Sequence, residues 1–407
     1  MKVLLATYWA VPHLGGVWIY MVQLKEKLES LGHEVDLLGY GHDNSYVHMV
    51  NEERRVEKSQ WFPLLNESAE SFTSFHINPL VQYTETQRNF YEKAVTYLGL
   101  EKYDVIHTQD VISAASMNRI RPAHTALVAT LHGCVAHEIR QQLTTIHNSP
   151  TSYMAKAYFD ELEHIGATSS EYTIVANKWL TNILINEFNV PVDQLKLFNY
   201  GYDTESFLKK MKEQNSIQKP SDKKVIIYTG RLVELKGVQF LISALSKLKK
   251  IRTDWVCWIV GEGEKQAEFQ IQSRTLGLEN DILFYGKRDD VPFLLSLSDV
   301  FVLPSLLENQ SLAVIEAQIA ERAIIVSDAG GLPEMVEHGV TGIVTPAKDS
   351  EVLCKNINLL LENEKYRRFL GSNAKKWAME HWVPEDAGKN VLNVYQHAIS
   401  KRRNKQL

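Results

Sequence analysis

A chain of 407 residues is too long for one ordinary core and predicts two domains of roughly 200 residues each. Hydrophobic residues at 44% and charged residues at 23% describe a soluble globular protein, and no run of about 18 apolar residues marks a transmembrane helix. The net charge of −5 conceals an asymmetry: residues 1–205 hold 15 Lys/Arg against 24 Asp/Glu, and the remainder 29 against 25. The basic second half suits a small anionic ligand, while the acidic first half argues against nucleic acid or an anionic membrane as a partner.

The N-terminal MKVLLATYWAVPHLGG has one lysine and a short apolar stretch. With Tyr8, Trp9 and Pro12 in it and no small-residue cleavage site, it reads as a buried first strand rather than a signal peptide. Further strands are expected at 34–40, 105–107, 126–132 and 172–177, and VWIYMVQLKEKLESLG between the first two has helical spacing and ends at Gly32. Residues 42–75 are polar and without period, so a long loop is expected there. The pattern lapses over 197–224, which places the boundary between an N-terminal domain, 1–205, and a C-terminal one, 206–384. It resumes with strands at 224–230, 255–261, 282–286, 300–305 and 323–328. Residues 385–407, after Pro384, read as an amphipathic helix with a basic end that packs back on the N-terminal domain. The alternation implies an α/β fold of two parallel-sheet domains facing across a cleft, with ligands at the C-terminal ends of the strands. Cys134, Cys257 and Cys354 are odd in number, widely spaced and without a C-x-x-C, which points to a reducing cytoplasm and away from disulfides or a metal site. Trp18, Tyr20, Trp255 and Trp258 fall inside helix and strand patterns and are expected to pack.

Three stretches carry chemistry. In HLGGV (13–17), Gly15 and Gly16 let backbone approach a ligand at a helix start, where unpaired N–H groups favour anions; as a pair alone they are equally a tight turn. The G-x-G-x-x-G dinucleotide fingerprint is absent. In GRLVELKG (230–237), Arg231 and Lys236 lie in a loop after a strand and can clamp a diphosphate, Arg as a fork and Lys as a point charge. An isolated pair of this kind is more often solvated surface charge. In PSLLENQSLAVIEAQ (304–318), Glu308 precedes a helix start and Glu316 follows about 8 Å along it at 1.5 Å per residue. The N–H groups of Gln310 to Leu312 are the expected free donors. Two such carboxylates can grip the two hydroxyl-bearing ends of a sugar nucleotide whose anionic middle meets Arg231 and Lys236.

GRLVELKG, WIVGEG, ILFYGKRDD, PSLLENQSLAVIEAQ and DAGGLPEMVEHGVTGIVTP, in this order and spacing, resemble the retaining glycosyltransferases of family 4, which have the GT-B fold of two Rossmann-like domains. The Gly15-Gly16 loop, DVIHTQD (104–110), LHG (131–133) and GYDTESF (201–207) extend the likeness over the first half. The resemblance implies a nucleotide-sugar donor, UDP-linked by preference on family frequency. It also implies that Gly16 faces the donor phosphates and that Arg231 and Lys236 bind the diphosphate. Glu308, with N–H groups from Asn309, Gln310, Ser311 and Leu312, then holds sugar hydroxyls and phosphate, and Glu316 the ribose. Gly261, Gly263, Lys287 and Arg288 border the base, and His132 lies beside the transferred sugar. His107 and Asp110 sit toward the acceptor, and the 42–100 region shapes its pocket. Gln310 and Ser311 replace the family's usual phenylalanine and glycine, and Tyr200 stands where Asn is common, so the donor sugar stays open.

The implied activity is hexosyl transfer to an acceptor hydroxyl, with His132, Glu308, Arg231 and Lys236 as catalytic residues. No cofactor is expected: the chain has no D-x-D, and Asp289-Asp290 reads as a helix cap. Two alternatives share the architecture: a GT-B nucleotide-sugar epimerase, and a bilobal sugar-binding protein without chemistry. The acceptor and the oligomeric state are not legible.

Overall fold

The computed structural model describes residues 1–12, 15–50, 52, 54–59, 78–144, 147–213 and 216–404. The chain divides into two compact units, residues 1–199 with 385–407, and residues 200–384.

The first unit is built on one sheet of β1 (Lys2–Ala10), β2 (Glu34–Tyr40), β3 (Tyr46–Met49), β4 (Arg55–Glu57), β5 (Val105–Thr108), β6 (Ala126–Leu131), β7 (Tyr172–Val175) and β8 (Leu195–Leu197). Their order is β4-β3-β2-β1-β5-β6-β7-β8, parallel from β2 to β8. Val3 to Tyr8 are buried without a break, as a strand covered on both faces requires. The covering helices are α1 (Gly16–Ser30), α2 (Pro79–Leu98), α3 (Val111–Ile120), α4 (Val135–Gln142), α5 (Ser152–Thr168) and α6 (Lys178–Asn186). The loop expected over 42–75 is corrected in part, because β3 and β4 pair antiparallel there. They anchor through Val47, Met49 and Val56 alone, too few apolar positions to show a period. Residues 51, 53 and 60–75 of that stretch, and His13 and Leu14 of the glycine loop, lie outside the described residues.

The second unit begins with α7 (Thr204–Lys210) and holds a wholly parallel sheet of β9 (Lys224–Thr229), β10 (Trp255–Val260), β11 (Ile282–Gly286), β12 (Val300–Leu303), β13 (Ala323–Ser327) and β14 (Ile343–Thr345). Its helices are α8 (Val238–Leu248), α9 (Gln266–Thr275), α10 (Val291–Leu297), α11 (Leu312–Ile319), α12 (Leu332–Met335), α13 (Ser350–Glu362) and α14 (Glu364–His381). Trp255 and Trp258 lie in its core, as Tyr20 does in that of the first unit, while Trp18 is half-buried. The chain then returns to the first unit as α15 (Pro384–Asn404). Val391, Val394, Tyr395 and Ala398, one stripe at helical spacing, are buried. Among the described residues no helix is long and apolar enough to cross a membrane.

Both units are Rossmann-like, and both sheets reverse direction once. The first grows outward from β1 to β4 on one side and from β5 to β8 on the other; the second does so from β9 to β11 and from β12 to β14. Crossover helices depart to opposite faces at such a reversal, leaving a crevice beyond the strand ends where ligands bind in this class of sheet. The crevices lie between β1 and β5 and between β9 and β12.

Candidate active site

In the second unit, the loops leaving the reversal are 230–237 after β9 and 304–311 after β12, and backbone contacts lock them together. Leu306 N–H donates to the Leu235 carbonyl at 2.7 Å. Gly237 has φ 70°, and a Cβ there would lie 1.9 Å from the Pro304 carbonyl oxygen. Only glycine fits. Across this junction Lys236 Nζ meets Glu308 Oε2 at 2.5 Å, and Ser305 Oγ donates to the same oxygen at 3.2 Å. The next loop supports Glu308 from behind, where Gly331 N–H donates to its carbonyl at 3.0 Å. Arg231 differs. It is exposed, Tyr228 Oη donates to its carbonyl at 2.8 Å, and its guanidinium pairs with no carboxylate among the described residues. Lys236 and Glu308 thus come together as one unit of opposite charge, with Arg231 as an open cation on the same loop.

Gly261 and Gly263 answer first to their neighbours. Cβ atoms there would stand 1.9 Å from the Gly230 oxygen and 2.4 Å from that of Leu232. The 230–232 backbone runs alongside, with Gly230 N–H donating to Val260 and Leu232 N–H to Glu262 at 3.0 and 2.9 Å. These glycines hold the arginine loop in place. Arg288 forks onto Asp290, with both contacts at 2.7 Å. Asp290 stands at the N-cap of α10, the position expected of it, without a side-chain cap bond.

α11 begins at Leu312, with Ser311 as its N-cap. Of the N–H donors expected free, that of Ser311 is taken by Met335 Sδ at 3.3 Å. Glu316, one turn into α11, accepts from Tyr202 Oη at 2.8 Å. Burial pushes its carboxyl up to about 7 against the pull of the Tyr202 hydroxyl and of Lys210. Tyr202 is itself tied down by its N–H, which donates to the Trp382 carbonyl. No spacing signal marks Tyr202, because it sits in an irregular segment just ahead of the Asp203 cap of α7.

In the first unit, Gly16 is the first residue of α1, and Gly15 is extended at φ 177°, a conformation open to any residue. His132, at the end of β6, is half-buried; its Nε2 lies 3.0 Å from Gln109 Oε1 and its ring stands edge-on to Tyr20. Gln109 follows β5, so the neighbouring ends of β5 and β6 share one polar contact. His107 and Asp110, expected toward the acceptor, are both bonded within the first unit. His107 is fully buried, with Nδ1 2.8 Å from Tyr395 Oη and Nε2 2.7 Å from Thr130 Oγ1. Burial, with His132 nearby, lowers it to about 3. Asp110 caps α3 from Ser113 N–H at 2.7 Å and also accepts from Tyr8 N–H and Thr7 Oγ1 at 2.8 and 2.9 Å. Both are committed to holding strands, a helix and α15 together.

Two family models match the chain in tandem. "Glycosyltransferase Family 4" matches residues 14–206 and "Glycosyl transferases group 1" matches 209–377. The chain belongs to the family 4 glycosyltransferases of GT-B fold. This glycosyltransferase is 26% identical to an uncharacterized glycosyltransferase of Methanocaldococcus jannaschii, over 98% of this chain and 99% of that one. Its fold matches that of sucrose-phosphate synthase from Thermosynechococcus elongatus, with a TM-score of 0.75 at 19% identity over 98% and 99% of the two chains. It also matches Anabaena HepE in complex with UDP-glucose, with a TM-score of 0.66 at 21% identity over 98% and 100%.

Proposed function

We propose that this glycosyltransferase moves a hexosyl unit from a nucleoside-diphosphate sugar to an acceptor hydroxyl with retention of configuration. The observation that carries the reading is the joined pair of loops after β9 and β12, which gathers Arg231, Lys236 and Glu308 at the sheet reversal. In this reading the diphosphate takes Arg231 and Lys236, drawing Lys236 from Glu308 and leaving that carboxylate for sugar hydroxyls. Glu316 holds the ribose, Gly16 faces the phosphates, and His132 lies beside the transferred sugar. The bond from the anomeric carbon to the β-phosphate oxygen breaks, and the acceptor oxygen bonds to the same face of that carbon. The acceptor proton passes to an oxygen of the departing phosphate. Fixed cations offset the leaving-group charge in a site that needs no reorganisation as that charge develops. A UDP sugar is the favoured donor, supported by the fold likeness to a protein that binds UDP-glucose.

The test is release of nucleoside diphosphate from a panel of UDP and GDP sugars, with and without candidate acceptor hydroxyls, in excess EDTA. Acceptor-dependent release with an α-linked product is expected. Conversion of the donor sugar without release would favour an epimerase, and a reaction that EDTA silences and magnesium or manganese restores would remove the fixed-charge account.

A further inference from the structure

Tyr200 and Gln310, two positions where this chain departs from the usual residues of its motifs, touch one another. Tyr200 N–H donates to Gln310 Oε1 at 3.3 Å. A backbone N–H can only donate, so the contact fixes the orientation of the amide, with oxygen toward Tyr200 and Nε2 away. Nε2 is withdrawn from solvent and has no partner among the described residues. A buried amide donor left in this state is unfavourable and is satisfied by any oxygen brought within reach.

The surroundings indicate which oxygen. Gln310 lies two residues after Glu308, on the loop that leaves the sheet reversal, and immediately before the Ser311 cap of α11. Glu308 is a carboxylate already in contact with Lys236 and Ser305, and toward a sugar it acts only as an acceptor. The loop therefore carries one acceptor and one unpartnered donor two residues apart in sequence. A phenylalanine at position 310 would supply no donor. We propose that the Gln310 amide is a specificity-determining group for the transferred sugar, with Nε2 donating to a sugar oxygen that Glu308 does not hold. That oxygen belongs to a ring hydroxyl or to an acylamino carbonyl, both acceptors for a primary amide. Tyr200 is the positioning residue: its backbone N–H holds the amide oxygen and so turns the Nε2 donor to the opposite side. The inference rests on the donor reading above and adds a side-chain contact to it.

The experiment is calorimetry on the full chain with UDP, UDP-glucose, UDP-N-acetylglucosamine, GDP and GDP-mannose, which needs no acceptor. The wild type is expected to bind one nucleotide sugar more tightly than its bare nucleoside diphosphate. Gln310→Met is expected to lose about tenfold of that increment, the scale of one net hydrogen bond, with bare nucleotide affinity held within about twofold. Gln310→Glu keeps an oxygen for Tyr200 and removes the donor, and it should lose the increment as well. An increment confined to UDP-N-acetylglucosamine assigns the contact to the acylamino carbonyl, and one shared with UDP-glucose assigns it to a hydroxyl. An unchanged increment in Gln310→Met overturns the proposal while the donor reading stands. A parallel fall in bare nucleotide affinity also overturns it, because Gln310 would then be loop support. A wild type that binds none of the five ligands removes the donor reading and this inference together.

Discussion

The two units share a sheet plan and use their polar residues in opposite ways. In the first, His107 and Asp110 stand at the end of β5 beside a sheet reversal, and every side-chain nitrogen or oxygen of both is engaged by Tyr395, Thr130, Ser113, Tyr8 or Thr7. In the second, the residues at the equivalent reversal are left with capacity: Arg231 is open, Lys236 and Glu308 hold each other, and Gln310 has a spare donor. Place in the fold does not separate a ligand group from a structural one. The separation comes from how many bonds the protein has already made to the group.

Removing Arg231 or Lys236 is the strongest way to test this contrast. Arg231→Ala and Lys236→Ala should each lower turnover on the order of a hundredfold or more, with melting temperature near that of the wild type. A loss below about tenfold would put these cations in the same position as the first unit's committed residues.

The first unit should show the reverse behaviour. His107→Phe strands the Tyr395 and Thr130 hydroxyls and should lower unfolding free energy by about 1–3 kcal/mol, with turnover per folded molecule nearly intact. Its pH dependence has a definite sign. Folded His107 is lowered to about 3, so between there and the unfolded value near 6.5 the unfolded state binds the extra proton. Stability from this residue is full above the unfolded value and falls as pH drops toward about 3, a loss that denaturant titrations should find missing in His107→Phe.

The smallest effect concerns Glu316, whose carboxyl is raised to about 7. If it accepts ribose hydroxyls, bound nucleotide favours the ionised form. Nucleoside diphosphate affinity should then fall several-fold as pH drops from 8 to 6, while Glu316→Gln binds weakly and without that pH dependence. A wild-type affinity flat across this range would detach Glu316 from the ribose.

Much of the scaffold was legible. Apolar runs such as KVLLATY and WVCWIV, short and rich in β-formers, read as strands buried on both faces, and both are strands in the fold. The short strands β3, β4 and β8 carry too few side chains to reveal a period. The fates of His107 and Asp110 depended on partners brought in by the fold, one of them on α15. Tyr202 and Tyr200 were hidden for a related reason: their contacts with Glu316 and Gln310 span 114 and 110 residues, which no local pattern records.

The return of α15 to the first unit bears on how the chain is made. The His107–Tyr395 contact spans 288 residues. Synthesis delivers residues 1–199 first, yet the surface that seats Val391, Val394, Tyr395 and Ala398 stays uncovered until the final helix emerges. The second unit, continuous from Tyr200 to Pro384, is complete in sequence before the first. The usual order of vectorial folding, N-terminal domain before C-terminal, is inverted here. Closing so long a loop adds little entropy cost, because that cost grows only with the logarithm of length. The consequence is delay: the early half of a nascent chain waits, with an apolar seat exposed, for its last helix.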